Sequence, residues 1–228
     1  MQRAIGQHQL AEPLQVFRLL RGVHEILPRI LSGPFRDCKS CPPKPSGLAA
    51  TEWNVTREAT TLMNLEANAA VSGKIVAFLN EIGLPIRADA MGDDTVLPGI
   101  KVEHGGLLYD PAKLKYPGDL LHEAGHLAVK TPADRQACGV DVGSDPAEEM
   151  MAISWSYAAA LHIGLPPEVV FHPEGYRGGS QSLLHNFASG YFLALPMLQW
   201  IGLTHDEKQA RQLGVEPFPK MKLWLRPN

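Results

Sequence analysis

The chain has 228 residues, of which 45% are hydrophobic and 20% charged, with a formal net charge of −3 at pH 7. This composition is typical of a globular protein with one substantial core, and it excludes a largely disordered chain. Lysine and arginine are scattered along the sequence, so we expect no nucleic-acid partner.

The sequence also favours a soluble, cytoplasmic protein without a membrane partner. Its N-terminal stretch lacks the basic start and apolar core of a secretory signal. The most apolar segment, 191–203, is too short to span a bilayer and contains a proline. Three cysteines, an odd number, argue against a secreted disulfide framework.

The N-terminal part predicts a separable appendage. Residues 10–31 place apolar side chains at helical spacing, and residues 32–47 contain four prolines and no periodicity. We therefore expect a helical appendage and a Cys/Pro-rich linker over residues 1–45. Cys38 and Cys41 have the spacing of half a zinc knuckle or of a redox pair, but a structural zinc site needs four ligands, so two free thiols are favoured.

Residues 46–228 predict the main domain, which begins with a helix and a hairpin. The helical pattern runs over about 56–82 and is stopped by Gly83. In the segment 97–110, apolar and polar residues alternate, and Gly105-Gly106 suits a tight turn between two strands.

The rest of the main domain is predicted to be helical. One helix covers 117–129 and opens at its proline, and the next starts at Asp145 and ends at Gly164. A further helix is expected over roughly 180–200, and the segment Thr204–Glu207 has the pattern of a capping box for a short last helix. The fold class is therefore α+β, mostly helical, with a small sheet.

The stretch LLHEAGHLAV carries the chemistry of the sequence. His122 and His126 are four residues apart, so on a helix they project from one face and can bind one metal ion. Glu123 lies about 100° around the helix, where it can accept a proton from a metal-bound water. This pattern arises by chance roughly 0.02 times in a chain of this composition. The alternative is a helix that merely buries its histidines.

Two histidines leave a third protein ligand to be found. A histidine six residues after His126 would indicate the metzincin type, but that position is Pro132. Asp141 is one option, although its flanks resemble a loop. The other options are Glu148 and Glu149, at the start of the next helix.

The two adjacent acids are predicted to differ in role. Glu149 starts an apolar stripe with Ala152 and Trp155, so it faces the core, where a metal ion would relieve the cost of burying its charge. Glu148 occupies the capping-box position and is expected to fold back on the helix start. The alternative is that both acids only favour the N-terminus of the helix.

These motifs resemble the zincin metallopeptidases of the gluzincin type, in which a glutamate follows the HExxH helix, and most closely the compact ImmA/IrrE-like group. The second motif of that group, Glu-x-x-Ala-x-x-aromatic-small, is matched by Glu149, Ala152, Trp155 and Ser156. The resemblance covers about residues 75–165. The cysteine-bearing N-terminal piece and the helical last 60 or so residues lie outside it.

The resemblance implies a zincin-like core with helical N- and C-terminal additions. It further implies a zinc-dependent peptidase with His122, His126 and Glu149 as ligands and Glu123 as general base. A peptide or protein substrate would be held in extended form by the strand near residues 100–110. The competing hypothesis is a catalytically silent metal-binding module for regulation or interaction. The presence of Glu123 favours an enzyme, because a structural metal site needs no base.

The segment FHPEGYRGG contains two further candidates. His172 and Tyr176 are flanked by glycines and could donate a hydrogen bond to an oxyanion near the metal. A solvent-exposed loop without such a role is the favoured interpretation.

Overall fold

The computed structural model describes residues 48–92, 95, 97–139 and 145–228, with side chains from residue 65 onward. The predicted appendage with Cys38 and Cys41 lies outside the described residues, and so does Asp141. Predictions for these positions stay predictions.

The described chain is a mixed α+β structure with a small three-stranded sheet, which confirms the coarse α+β class that the sequence predicts. Its helices are α1 (Leu48–Glu81), α2 (Asp119–Val129), α3 (Pro132–Ala137), α4 (Pro146–His162), α5 (Ser180–Ala188), α6 (Leu195–Trp200) and α7 (Glu207–Leu213). Its strands are β1 (Ile86–Ala88), β2 (Ile100–Glu103) and β3 (Gly106–Tyr109). None of the described helices is both long enough and apolar enough to cross a membrane.

The sheet has the strand order β1-β3-β2, with β1 parallel and β2 antiparallel to β3. The predicted hairpin is therefore confirmed, but its turn lies one residue earlier than expected. His104 and Gly105 form the turn, with φ values of +49° and +75°, and Gly106 already belongs to β3, where it pairs with Glu103. A Cβ on Gly106 would lie 2.6 Å from the carbonyl oxygen of Pro85, so the glycine is needed for packing.

Helix α4 begins as the sequence predicts. The Asp145 side chain accepts a hydrogen bond from the backbone N–H of Ala147, and Pro146 occupies the first turn. The helix ends at His162, and Gly164 follows with a φ of +67°. Helix α2 starts at Asp119, two residues later than predicted.

Two predictions for the C-terminal part are wrong. The helix expected over 180–200 is two helices, because the chain turns at Gly190, where φ is +77°. The last helix, α7, is capped by Asp206, which accepts a hydrogen bond from Gln209 at 2.7 Å. The Thr204 hydroxyl donates instead to the carbonyl of Lys220 at 2.7 Å, so tertiary contact outcompetes the local cap.

The core is centred on α2, which packs against both β3 and α4. The apolar side chains of α2 and α4 that face this centre are fully buried. They include Leu120, Leu121, Leu127, Ala152 and Trp155. Burial of this kind contributes about 25 cal/mol per Å² of apolar surface, so the packing of α2, which carries the HExxH motif, against α4 contributes to stability.

Candidate metal centre

Helices α2 and α4 approach each other most closely at a glycine. A Cβ on Gly125 would lie 2.8 Å from the carbonyl oxygen of Ala152 and 3.0 Å from its Cα. No larger residue fits without moving one of the helices. Glu149 lies three residues, or almost one turn, before Ala152, so the contact directs its side chain towards α2.

The close approach brings His122, His126 and Glu149 together. The Nε2 atoms of the two histidines are 3.3 Å apart. Glu149 places Oε2 3.1 Å from Nε2 of His126 and Oε1 3.6 Å from Nε2 of His122. All three side chains are at least three-quarters buried, and their ligand atoms lie within 4.8 Å of one another.

This group could hold a metal ion. Ligand atoms about 2.0–2.1 Å from a tetrahedral zinc ion are roughly 3.3 Å from one another, and the separations observed here are 3.1–3.6 Å. Imidazole nitrogens and a carboxylate oxygen are common ligands of zinc and of other first-row transition metals. The ligand set therefore fits such an ion in both geometry and chemistry.

The protonation states of the three groups are coupled. Burial, together with the charge of His126, lowers the pKa of His122 to about 4, although the carboxylate of Glu149 acts in the opposite direction. Burial also opposes the charge on His126, but the hydrogen bond to Glu149 and the surrounding carboxylates raise the pKa of His126 overall. The same contacts hold the pKa of Glu149 below its usual value despite burial. A metal ion would therefore compete with a proton for His126.

Glu123 is half-buried on the same helix, directly after His122. Burial, together with the nearby carboxylates of Glu149 and Asp119, raises the pKa of Glu123 to about 7. The charge of His126 acts in the opposite direction. A carboxyl group with a pKa near neutrality can both accept and return a proton.

Glu148 has a different partner from its neighbour. Its carboxylate forms an ion pair with Nζ of Lys130, directly after the last residue of α2. The expectation that it folds back on the start of its own helix is therefore wrong, because the end of α2 presents a partly buried cation to it. The separation of the two acids agrees with the predicted geometry, in which Glu149 faces the histidines.

His172 and Tyr176, in the segment after α4, are not solvent-exposed. The interpretation of this segment as an exposed loop is therefore wrong. His172 is buried, with its Nε2 3.0 Å from Oδ1 of Asp119 and its ring stacked on Tyr116. The hydroxyl of Tyr176 is 3.2 Å from Nδ1 of His122. The predicted donation to an oxyanion remains a prediction for both residues.

Sequence reasoning missed Asp119, which contacts His172 and lies near Glu123, as a neighbour of the site. Asp119 lies three residues before His122 and four before Glu123, and this helical spacing could have indicated it.

The sheet limits where an extended substrate could bind. β3 pairs with β1 on one side and β2 on the other, so its own backbone hydrogen bonds are taken. Among the described strands, only the outer edges of β1 and β2 can accept another strand.

Comparison of the chain with models of known protein families, with curated proteins and with solved structures gave no match. The resemblance to the zincins therefore rests on the motif residues themselves.

Proposed function

We propose that the chain is a zinc-dependent hydrolase of peptide bonds with a zincin-like core. The observation that carries the proposal is the convergence of His122, His126 and Glu149 from two helices, with Glu123 directly beside the first histidine. Three protein ligands leave one position of a tetrahedral ion open, which is typical of catalytic zinc sites and not of structural ones.

The proposed division of labour follows from these residues. Zinc, when bound, supplies a Lewis acid that makes water more acidic and polarises the substrate carbonyl. Glu123 accepts the proton of the attacking water and transfers it to the leaving amine, so that it ends the reaction as it began. Glu149 offsets the positive charge of the ion, and the two histidines contribute neutral nitrogens. The small residues Ala124 and Gly125 let α4 reach the site.

The test is a digest of a peptide library by the full chain loaded with zinc. We expect about one zinc ion per chain and cleavage of some peptides. The substitution Glu123→Gln should preserve zinc content and melting temperature but lower the rate about 10²–10⁴-fold, because an amide cannot accept the proton. Glu168→Gln, at an exposed position, is the matched control and should retain full activity.

Each contrary result has a distinct meaning. Undiminished cleavage by the Glu123→Gln variant would remove Glu123 from the mechanism. Stoichiometric zinc without cleavage of any peptide would favour a catalytically silent metal-binding module. A purified chain that binds no zinc, nickel, cobalt or manganese would overturn the metal site altogether.

A further inference from the structure

The turn that carries Tyr176 has an unusual backbone. Tyr176 and Arg177 have φ values of +51° and +53°, and Gly178 follows with +80°. Residues with side chains rarely adopt this left-handed conformation, and two in succession store strain. Strain of this kind persists only where the surrounding structure holds it, and it concentrates at functional sites.

The turn lies against the candidate metal centre. The Tyr176 hydroxyl is 3.2 Å from Nδ1 of His122, and the two rings are perpendicular, with centroids 5.4 Å apart. The Tyr176 ring also packs against Phe171, with 5.2 Å between the centroids. The strained turn therefore places an aromatic side chain directly beside a proposed metal ligand.

The turn is anchored through His172. The Ser180 hydroxyl donates to the carbonyl of His172 at 2.7 Å, and the backbone N–H of Gly175 donates to the same oxygen at 3.0 Å. Gly175 also lies against the imidazole, since a Cβ there would be 3.2 Å from Cε1 and Nε2 of His172. The residues that flank the turn thus converge on His172, so a movement of His172 would be transmitted to Tyr176.

His172 is itself held by α2. Its side chain is nine-tenths buried, and Nε2 lies 3.0 Å from Oδ1 of Asp119, the first residue of α2. The ring stacks on Tyr116, with centroids 3.7 Å apart. Nδ1 has no hydrogen-bond partner among the described residues, so the polar anchor of the ring is its contact with Asp119.

We infer that Asp119 and His172 are positioning residues that hold the Tyr176 turn against the metal centre. Asp119 lies almost one helical turn before His122, so a single helix fixes both a proposed ligand and the anchor of the turn that contacts it. The purpose of this arrangement, which is to shape the side of the site where Tyr176 lies, rests on the proposed function. The contacts themselves do not depend on a metal ion.

The start of the segment is held independently of this pair. A Cβ on Gly118 would lie 2.0 Å from the carbonyl oxygen of Val169, so the backbones pack closely there. Val170 and Phe171 are fully buried. Loss of the contact between Asp119 and His172 should therefore loosen the turn and leave the rest of the fold intact.

Hydrogen exchange of the metal-free full chain, read by mass spectrometry, is the first measurement. We expect the backbone amides of residues 173–179 to exchange roughly 10–100-fold faster in Asp119→Ala and in His172→Phe than in the wild type, because the charge-assisted contact no longer opposes local opening. The double variant should exchange no faster than the faster single variant, since both substitutions remove the same contact. Glu174→Gln is the matched control. It removes an exposed carboxylate from the same segment, where the ion pair with Lys115 should contribute little, so exchange should be unchanged.

The second measurement reads the position of the Tyr176 ring from the ¹H–¹³C signals of the His122 imidazole, because an adjacent aromatic ring shifts the resonances of nearby protons. The signals are assigned by their loss in His122→Gln, and Tyr176→Leu gives the reference in which the ring is absent. We expect the His122 signals of Asp119→Ala and His172→Phe to move towards the Tyr176→Leu position. Those of Glu174→Gln should stay at the wild-type position. A contribution to overall stability alone would not move these signals in the folded protein.

Three results would overturn the inference. The first is wild-type exchange of residues 173–179 in both Asp119→Ala and His172→Phe, and the second is His122 signals at the wild-type position in both. The third is faster exchange spread evenly over α2, α4 and the segment, because the contact would then serve overall stability only. Both measurements are made without metal, so they decide the inference even if the chain binds no zinc and the proposed function fails.

Discussion

Two regions of α2, the carbonyls at its C-terminal end and the face that carries the histidines, differ in how their polar atoms are paired. At the C-terminal end, the orphan carbonyls that every helix leaves are satisfied by two arginines from elsewhere in the chain. Arg135 donates to the carbonyls of Leu127 and Lys130, at 2.8 and 3.1 Å. Arg226 donates from its backbone N–H to Ala128 at 2.8 Å.

On the face of α2 that carries His122 and His126, polar side chains are buried with fewer partners than they could use. His122 and His126 both contact Glu149, at 3.6 and 3.1 Å, and Nδ1 of His126 has no hydrogen-bond partner among the described residues. Buried polar groups in native proteins are almost always paired, and the exceptions concentrate where a ligand binds. The contrast separates the paired carbonyls at the C-terminal end of α2, which contribute to stability, from the histidine-bearing face, which is the proposed metal-binding region.

The adjacent acids of α4 are divided between these two regions. Glu149 reaches the histidines, whereas Glu148 reaches Lys130 beyond the C-terminal end of α2. Substitutions in only one of the two regions should therefore affect mainly metal binding or mainly stability, whereas one at the contact between α2 and α4 should affect both.

The largest expected effect is loss of metal from Glu149→Ala. This substitution removes one of three protein ligands and leaves two histidines on one helix, so affinity should fall by more than the roughly 10–100-fold typical of an outer partner. Glu148→Ala should retain zinc and lower the free energy of unfolding by roughly 1–3 kcal/mol, because partly buried Lys130 loses its partner. Metal content is measured on both variants after loading with zinc, and denaturant unfolding is measured on both variants without metal.

The reverse pattern would refute the assignment of the two acids. If Glu148→Ala loses zinc and Glu149→Ala keeps it, then Glu148 is the ligand. If both variants keep stoichiometric zinc, the third ligand lies elsewhere, and Asp141 becomes the first candidate.

A second prediction concerns the C-terminal end of α2, where the backbone carbonyls accept hydrogen bonds from arginines. Arg135→Ala should lower the free energy of unfolding by about 1.5–3 kcal/mol, because several carbonyls lose a charged donor. Zinc affinity measured on the folded variant should stay within about threefold, or 0.7 kcal/mol, of the wild type. Arg211→Ala, on the exposed side of α7, is the control and should change stability by no more than about 0.5 kcal/mol.

The result for Arg135→Ala tests whether the C-terminal carbonyls and the histidine-bearing face of α2 have separate roles. A large loss of zinc affinity in a variant that is still fully folded would mean that the C-terminal end of α2 also positions the ligands. An unfolding free energy equal to that of the wild type would mean that the carbonyls find water or other partners.

The sequence predicted those parts of the site that have local or periodic patterns. The spacing of His122 and His126 places both on one helical face, and the stripe from Glu149 to Trp155 separates Glu149 from Glu148. The start of α4 at Asp145 is a local cap, so it too was predictable.

The contacts that complete the site span long stretches of chain and leave no periodic pattern. Tyr176 lies 54 residues from His122, and Arg226 lies 97 residues from Val129. The hairpin turn was displaced by one residue because Gly106 is needed against Pro85, a contact with the chain before β1. Local turn preferences carry no information about such contacts.

Gly125→Ala should have the smallest effect on stability of the substitutions considered. It should nevertheless change both stability and zinc affinity, because Gly125 lies where α2 meets α4. An added Cβ would meet the Ala152 carbonyl oxygen at 2.8 Å, so the helices must separate by a few tenths of an ångström. We expect a loss of about 1–2 kcal/mol of stability, since overpacking outweighs the better helix propensity of alanine. Zinc should bind more weakly because Glu149 moves away from the histidines.

Gly73→Ala is the matched control. Gly73 lies within α1 with no atom within 4 Å of the added Cβ, so the substitution should stabilise the protein by about 0.4–1 kcal/mol. Equal gains in stability from both substitutions, with zinc affinity unchanged, would mean that the close contact at Gly125 does not set the geometry of the site.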